Sequence, residues 1–159
     1  MTTYVAVCGP GVADEREIAW AEDVGRLLAR EGAVVVCGGL GGVMEAAARG
    51  ASAEGGTSIG ILPGPHRTGQ AEGLSYSIPT GMGEARNALV VRAADAVIAV
   101  AGEYGTLSEI ALALKIGVPV VGLGTWDLAK DGRPVPAFPA AEDPADAVRM
   151  ALAAATGRA

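Results

Sequence analysis

Short runs of β-branched and small apolar residues in this chain end repeatedly at glycine. Tyr4 to Cys8, Ala33 to Cys37, Thr57 to Leu62, Asp95 to Val100 and Val118 to Leu123 each meet a glycine at once or after one residue. Those glycines are Gly9, Gly38, Gly64, Gly102 and Gly124. Each run has the length of a buried strand. Between them, about Asp14 to Glu31, Val43 to about Ala53, about Gly83 to Ala93 and Thr106 to about Ile116 carry helical spacing. Ile18, Ala21, Leu27 and Leu28 are the expected core contacts of the first helix. Strand alternating with helix implies parallel pairing through right-handed crossovers. The fold is therefore expected to be α/β, a Rossmann-like doubly wound parallel sheet forming a single domain over 1–159. In such a sheet the strand ends share one edge, and ligands bind outside the carboxyl ends near the switch in strand order. Glycines there let the backbone approach a ligand closely.

The remaining segments fit this frame. Pro63 to about Gly73 reads as a mobile surface loop, and Tyr76 to Ile78 as a short strand. A terminal helix is expected from about Pro144 to Ala155, with Asp143 as N-cap and Pro144 at the first helical position. Half of the 159 residues are apolar and only 4% aromatic, so the core is one of Val, Ile, Leu and Ala. A net charge of −6 argues against a general nucleic-acid partner, which needs a basic footprint. It leaves a small anion open, because backbone amides bind phosphate without side-chain charge. No apolar run reaches membrane-spanning length. Two cysteines suggest no disulfide framework, and no signal peptide is visible at the start, so a cytoplasmic location is expected. With one histidine and no ligand cluster, neither a metal nor a cofactor is expected. Cys8 and Cys37 read as buried, unreactive thiols ending adjacent strands, Trp20 and Trp126 as packing anchors, and His66 as an exposed loop residue.

Three motifs could carry chemistry. Gly38-Gly39-Leu40-Gly41-Gly42-Val43-Met44 lies between a strand and a helix, where free amides and the helix dipole attract phosphate. It is neither a Walker loop nor a dinucleotide fingerprint. Ala101-Gly102-Glu103-Tyr104-Gly105-Thr106-Leu107-Ser108-Glu109 repeats the strand-turn-helix arrangement. Thr106 there either caps the helix, in a capping box with Glu109, or donates to a phosphate oxygen. With Leu107, Ile110, Ala111 and Leu114 as the core stripe, Glu109 is expected away from the core, free to act as a general base or to stabilise a cation. Arg86, in Gly83-Glu84-Ala85-Arg86-Asn87, reaches the ligand edge only if the short strand at Tyr76 to Ile78 first carries the chain back across the sheet.

Taken together, Arg86-Asn87, the run Ala94 to Ala99 and Tyr104-Gly105-Thr106-Leu107-Ser108-Glu109 resemble the Lonely Guy (LOG) family of phosphoribohydrolases. Gly38-Gly39 through Met44 is similar to that family's upstream glycine motif, so the resemblance reaches to about Leu123. The strings GMGEARN and GTLSE resemble a bacterial branch of the same superfamily that includes molybdenum-cofactor-carrier-like proteins. The resemblance implies Arg86 and Glu109 as catalytic residues for N-glycosidic cleavage of a nucleoside 5′-monophosphate. It implies phosphate or nucleotide binding by Gly38, Gly39, Gly42, Met44, Gly102, Gly105 and Thr106, and the candidate binding set also takes in Gly9, at the end of the first strand, and Asn87, beside Arg86. Three positions depart from the LOG pattern. Ala101 stands for a proline, Glu103 for a glycine and Asn87 for a lysine. Asn87 and Glu103 favour the alternative, a non-catalytic carrier of a pterin or nucleotide, while Arg86 and Glu109 favour the enzyme. A homodimer is expected as well, on the apolar face of Leu112 and Ile116 and on the family's example.

Overall fold

In the computed structural model, residues 1–157 are described. Six strands form one all-parallel sheet: β1 (Tyr4–Cys8), β2 (Val34–Cys37), β3 (Ser58–Leu62), β4 (Tyr76–Pro79), β5 (Ala96–Val100) and β6 (Val120–Leu123). Their order across the sheet is β4-β3-β2-β1-β5-β6. The chain winds outward from β1 to β4, then returns to the other side of β1 to lay down β5 and β6. The order therefore reverses between β1 and β5, and the crevice at their carboxyl ends is where a doubly wound sheet takes its ligand.

Helices α1 (Glu15–Arg30), α2 (Val43–Ala53) and α5 (Pro144–Thr156) cover one face of the sheet. Helices α3 (Asn87–Arg92) and α4 (Tyr104–Ile116) cover part of the other. Alternating β1 residues divide the two cores: Val5 and Val7 face the first, Ala6 and Cys8 the second. Burial on both faces explains why β1 and β5 read as unbroken apolar runs. Helix α1 starts in a capping box, Asp14 accepting from the Glu17 amide at 2.8 Å and Glu17 accepting from the Asp14 amide at 3.0 Å. Its buried residues are Ala21, Val24, Gly25 and Leu28, while Ile18 and Leu27 are partly buried. Asp143 caps α5 as expected, accepting from the Asp146 amide at 2.8 Å. No helix among the described residues is long and apolar enough to cross a membrane.

Two local expectations need correction, and one element lies outside them. The stretch from Gly83 to Ala93 is not one helix: Gly83–Arg86 is a 3-10 turn, and α3 starts only at Asn87. The segment from Pro63 to Gly73 is exposed along most of its length but is pinned where Ala71 is buried and donates its amide to the Gly39 carbonyl at 2.8 Å. A hairpin, β7 (Ala129–Lys130) with β8 (Arg133–Pro134), follows β6 and was not expected. Its signal was Asp131-Gly132, both at positive φ (52° and 71°), the dipeptide that a tight two-residue turn favours.

Candidate functional site

Strand β4 decides where Arg86 goes. It pairs in parallel with β3, Ile59 to Tyr76 and Leu62 to Pro79, so its end lies at the carboxyl edge and the 3-10 turn opens there. Arg86 is only 7% exposed. One terminal nitrogen, Nη2, donates to the Gly38 carbonyl at 3.3 Å, and the other, Nη1, donates to Asn87 Oδ1. Asn87 in turn donates through Nδ2 to Ser108 Oγ at 3.1 Å, and Ser108 Oγ donates to the Gly105 carbonyl at 2.7 Å. A continuous hydrogen-bonded chain thus ties the first glycine loop to the second. Asn87, where the LOG pattern has a lysine, is a strut between the loops. Asn87→Ala removes one buried and one part-buried hydrogen bond, so urea unfolding should report a loss of about 1–3 kcal/mol.

Helix α4 starts two residues earlier than the sequence suggests, with Glu103 as N-cap and no side-chain cap bond. Thr106 therefore lies inside the first turn and is buried, and no Thr106–Glu109 capping box exists. The inward face of α4 is Thr106, Glu109, Ile110 and Ala113, while Ala111 is exposed. Glu109 consequently does not stand clear of the core. It is 6% exposed and lies beside Cys8 and Arg86. Burial pushes its pKa from 4.5 up to about 7, partly opposed by the Cys8 thiol and the Arg86 guanidinium. Burial likewise raises both thiols, Cys37 to about 11. The thiolate is the nucleophilic form, and burial at the ends of the adjacent strands β1 and β2 holds both cysteines as thiols at neutral pH.

Arg86 and Glu109 face a cleft of about 220 Å³. Gly9, Met44, Arg86, Asn87, Gly105, Thr106 and Glu109 all line it, so seven of the residues named from sequence meet in one place. Pro10, Gly11, Leu40, Glu84 and Glu103 line it too. Of these, Glu84 was signalled only by its position two residues before Arg86. Gly38, Gly39, Gly42 and Gly102 stand behind the cleft and shape its walls. A Cβ on Gly38 would lie 2.7 Å from both Arg86 Nη2 and Met44 Sδ, and one on Gly39 2.5 Å from Leu62 Cδ2. Gly42, at φ 64°, lies against the Pro10 carbonyl, which accepts from the Val43 amide at 3.1 Å.

The chemistry open to this cleft follows from its groups. The first-turn amides of α4, those of Gly105 and Thr106 among them, have no intrahelical partner and sit at the positive end of the helix dipole. Arg86 Nε and Thr106 Oγ1 are buried without a hydrogen-bond partner among the described residues. Buried orphan donors call for an acceptor, and phosphate oxygens supply several. One guanidinium shares the cleft with three carboxyls, so amides and the hydroxyl, more than net charge, would hold an anion. Ala101 adopts φ 52°, a conformation the pyrrolidine ring of proline cannot reach. The loop from Ala101 to Glu103 therefore follows a path closed to the proline-bearing LOG motif. The described residues contain no group of three or more His, Cys, Asp or Glu side chains able to hold a metal ion.

Comparison with known proteins agrees with the fold. Residues 2–148 match the model of the SLOG cluster4 family. An uncharacterized protein of Archaeoglobus fulgidus is 46% identical over 119 residues, covering 75% of this chain and 78% of that protein. The molybdenum cofactor binding protein of the phototrophic bacterium Rippkaea orientalis superposes with a TM-score of 0.87 at 34% identity, over 96% of this chain and 97% of that one. The Moco carrier protein of Chlamydomonas reinhardtii gives 0.86 at 32% identity over 100% of both chains.

Proposed function

The chain belongs to the SLOG cluster4 family, in the LOG-like Rossmann superfamily near the molybdenum-cofactor carriers, and from that premise we propose that it binds a phosphate-bearing pterin of the molybdenum-cofactor class and carries it intact. The phosphate sits on the amides of Gly105 and Thr106, with the Thr106 hydroxyl and Arg86 Nε as further donors. Leu40 and Met44 of the Gly38 to Met44 loop line the cleft as well, with the glycines of that loop behind them. The observation that carries this reading is the Ala101 backbone at φ 52°. It gives the phosphate loop a path that the hydrolase motif, with proline there, cannot take. The engagement of Arg86 with Gly38 and Asn87 supports it, because the only guanidinium among the described residues that line the cleft is held as part of the floor. The similarity to cofactor-binding proteins along the whole chain supports it further.

A second reading, hydrolysis of a nucleoside 5′-monophosphate, is favoured by one observation. Glu109, brought to about 7 beside Arg86, has the pKa of a general acid or base at neutral pH. A panel of nucleoside monophosphates separates the two readings. The carrier reading expects no free base by chromatography, together with a rise in melting temperature when the molybdenum cofactor is added. Base release that disappears in Glu109→Ala would instead establish the hydrolase.

We also propose that the chain pairs as a homodimer. Tyr76 and Ile78, on one side of edge strand β4, are 66% and 52% exposed, while Ile116, expected at the interface, packs partly against the chain's own core. Sedimentation of Tyr76→Glu/Ile78→Glu as a monomer, with the parent a dimer, is the expected outcome.

A further inference from the structure

The cleft of 220 Å³ is smaller than the roughly 300–1,000 Å³ of sites that enclose a whole small-molecule ligand. A second cleft, of about 270 Å³, lies on the other side of the Ala101–Glu103 loop. Ala101, Gly102, Gly124, Thr125, Trp126 and Glu17 line it, at the carboxyl ends of β5 and β6. Through Gly124, Thr125 and Trp126 it continues into a groove of about 600 Å³ bounded by Pro134 to Phe138. The two clefts share the phosphate loop as a thin wall. Gly102, at φ 145°, keeps it thin, since a Cβ there would lie 3.0 Å from Trp126 Nε1 and 3.1 Å from the Thr106 side chain.

This outer cleft has the fittings of an aromatic ring site. Tyr104, the first residue of α4, is 79% exposed although it adjoins the phosphate loop. Its ring meets that of Trp126 at 5.9 Å with a tilt of 30°. Trp126 Nε1 and Thr125 Oγ1 are buried with no hydrogen-bond partner among the described residues, a cost that folded proteins rarely leave unmet. Glu17 commits one carboxylate oxygen to the Asp14 amide, leaving the other as an acceptor for a ribose hydroxyl or exocyclic amine.

We infer that the protein binds a two-headed ligand, with a nucleoside joined through a pyrophosphate to the group in the inner cleft. One phosphate lies on the Gly105–Thr106 amides, and the nucleoside base stacks on Tyr104 over the Thr125–Trp126 cleft. Base–aromatic stacking is sequence-tolerant and sensitive to alanine substitution, so Tyr104 carries a measurable share of the affinity. This inference rests on the phosphate-loop reading above.

The test compares the molybdenum cofactor in its monophosphate form with the same cofactor bearing a nucleotide through a pyrophosphate, by calorimetric titration. The parent should bind the dinucleotide form at least tenfold more tightly. In Tyr104→Ala, whose side chain is exposed, that advantage should fall to about twofold or less while monophosphate affinity stays within twofold of the parent. Thr125→Val should lose part of the advantage in the same direction. Equal affinity for both forms in the parent, or an advantage unchanged in Tyr104→Ala, overturns the outer site and leaves the inner one standing. Binding of neither form overturns both.

Discussion

Alanine at Gly42 is expected to destabilise the protein by about 3 kcal/mol or more and to abolish ligand binding. Two costs add. An L-residue at φ 64° loses about 1–2 kcal/mol to the clash of its Cβ with its own backbone. The new Cβ would also lie 2.3 Å from the Pro10 carbonyl oxygen and 2.6 Å from the Gly11 carbonyl carbon. Those are backbone atoms, so no side-chain rotation relieves the contact, and overpacking of this kind costs a further 1–3 kcal/mol or so. The turn that moves away carries Pro10 and Gly11, which line the inner cleft. Gly55 provides the control. It has φ 69° but nothing within 4 Å of an added Cβ, so Gly55→Ala should show the conformational cost alone and keep ligand affinity. Equal destabilisation of the two variants in urea would contradict the close approach at Gly42.

The second large effect is a pH dependence set by Glu109. In the unfolded chain its carboxyl titrates near 4.5, and in the folded protein near 7, chiefly because burial disfavours the carboxylate. Between those values the folded protein holds a proton that the unfolded chain has released. Stability therefore falls as pH rises through this window, and it is fully retained only below about 4.5. The shift corresponds to about 3 kcal/mol across the window. Glu109→Gln removes the titrating group and should flatten that part of the profile, becoming more stable than the parent at pH 8. Identical slopes in parent and variant, from denaturation between pH 4.5 and 8, would show that Glu109 is not buried as described.

The sequence made the sheet readable and obscured the inner face of α4, for physical reasons that can be named. Strands β1 and β5 are buried on both faces, so their apolar runs are continuous, and the glycines that follow mark the turns at the ligand edge. Arg86 was harder to place. Its position depends on β4, a four-residue edge strand with Tyr76 and Ile78 exposed, where burial leaves little periodic trace. Helix α4 is more ambiguous. Leu107, Ile110, Ala111, Leu112, Ala113 and Leu114 surround its axis with apolar groups, so several stripes fit equally well, and the choice that placed Glu109 outside was one of them. The buried set is instead Thr106, Glu109, Ile110 and Ala113. A carboxyl turned inward on an otherwise apolar helix runs against the hydrophobic pattern, and such violations concentrate at functional sites. The positive φ of Ala101 was hidden for a different reason. Alanine has no strong preference that would announce a left-handed turn.

A structure of the protein with the molybdenum cofactor bound would put the proposal to its most direct test. The expected result is an uncleaved cofactor with its phosphate oxygens within hydrogen-bond distance of the Gly105 and Thr106 amides, Arg86 still bonded to Gly38, and the Glu103 carboxylate turned away from the phosphate. A phosphate seated elsewhere, or a cleaved product in the cleft, would contradict it.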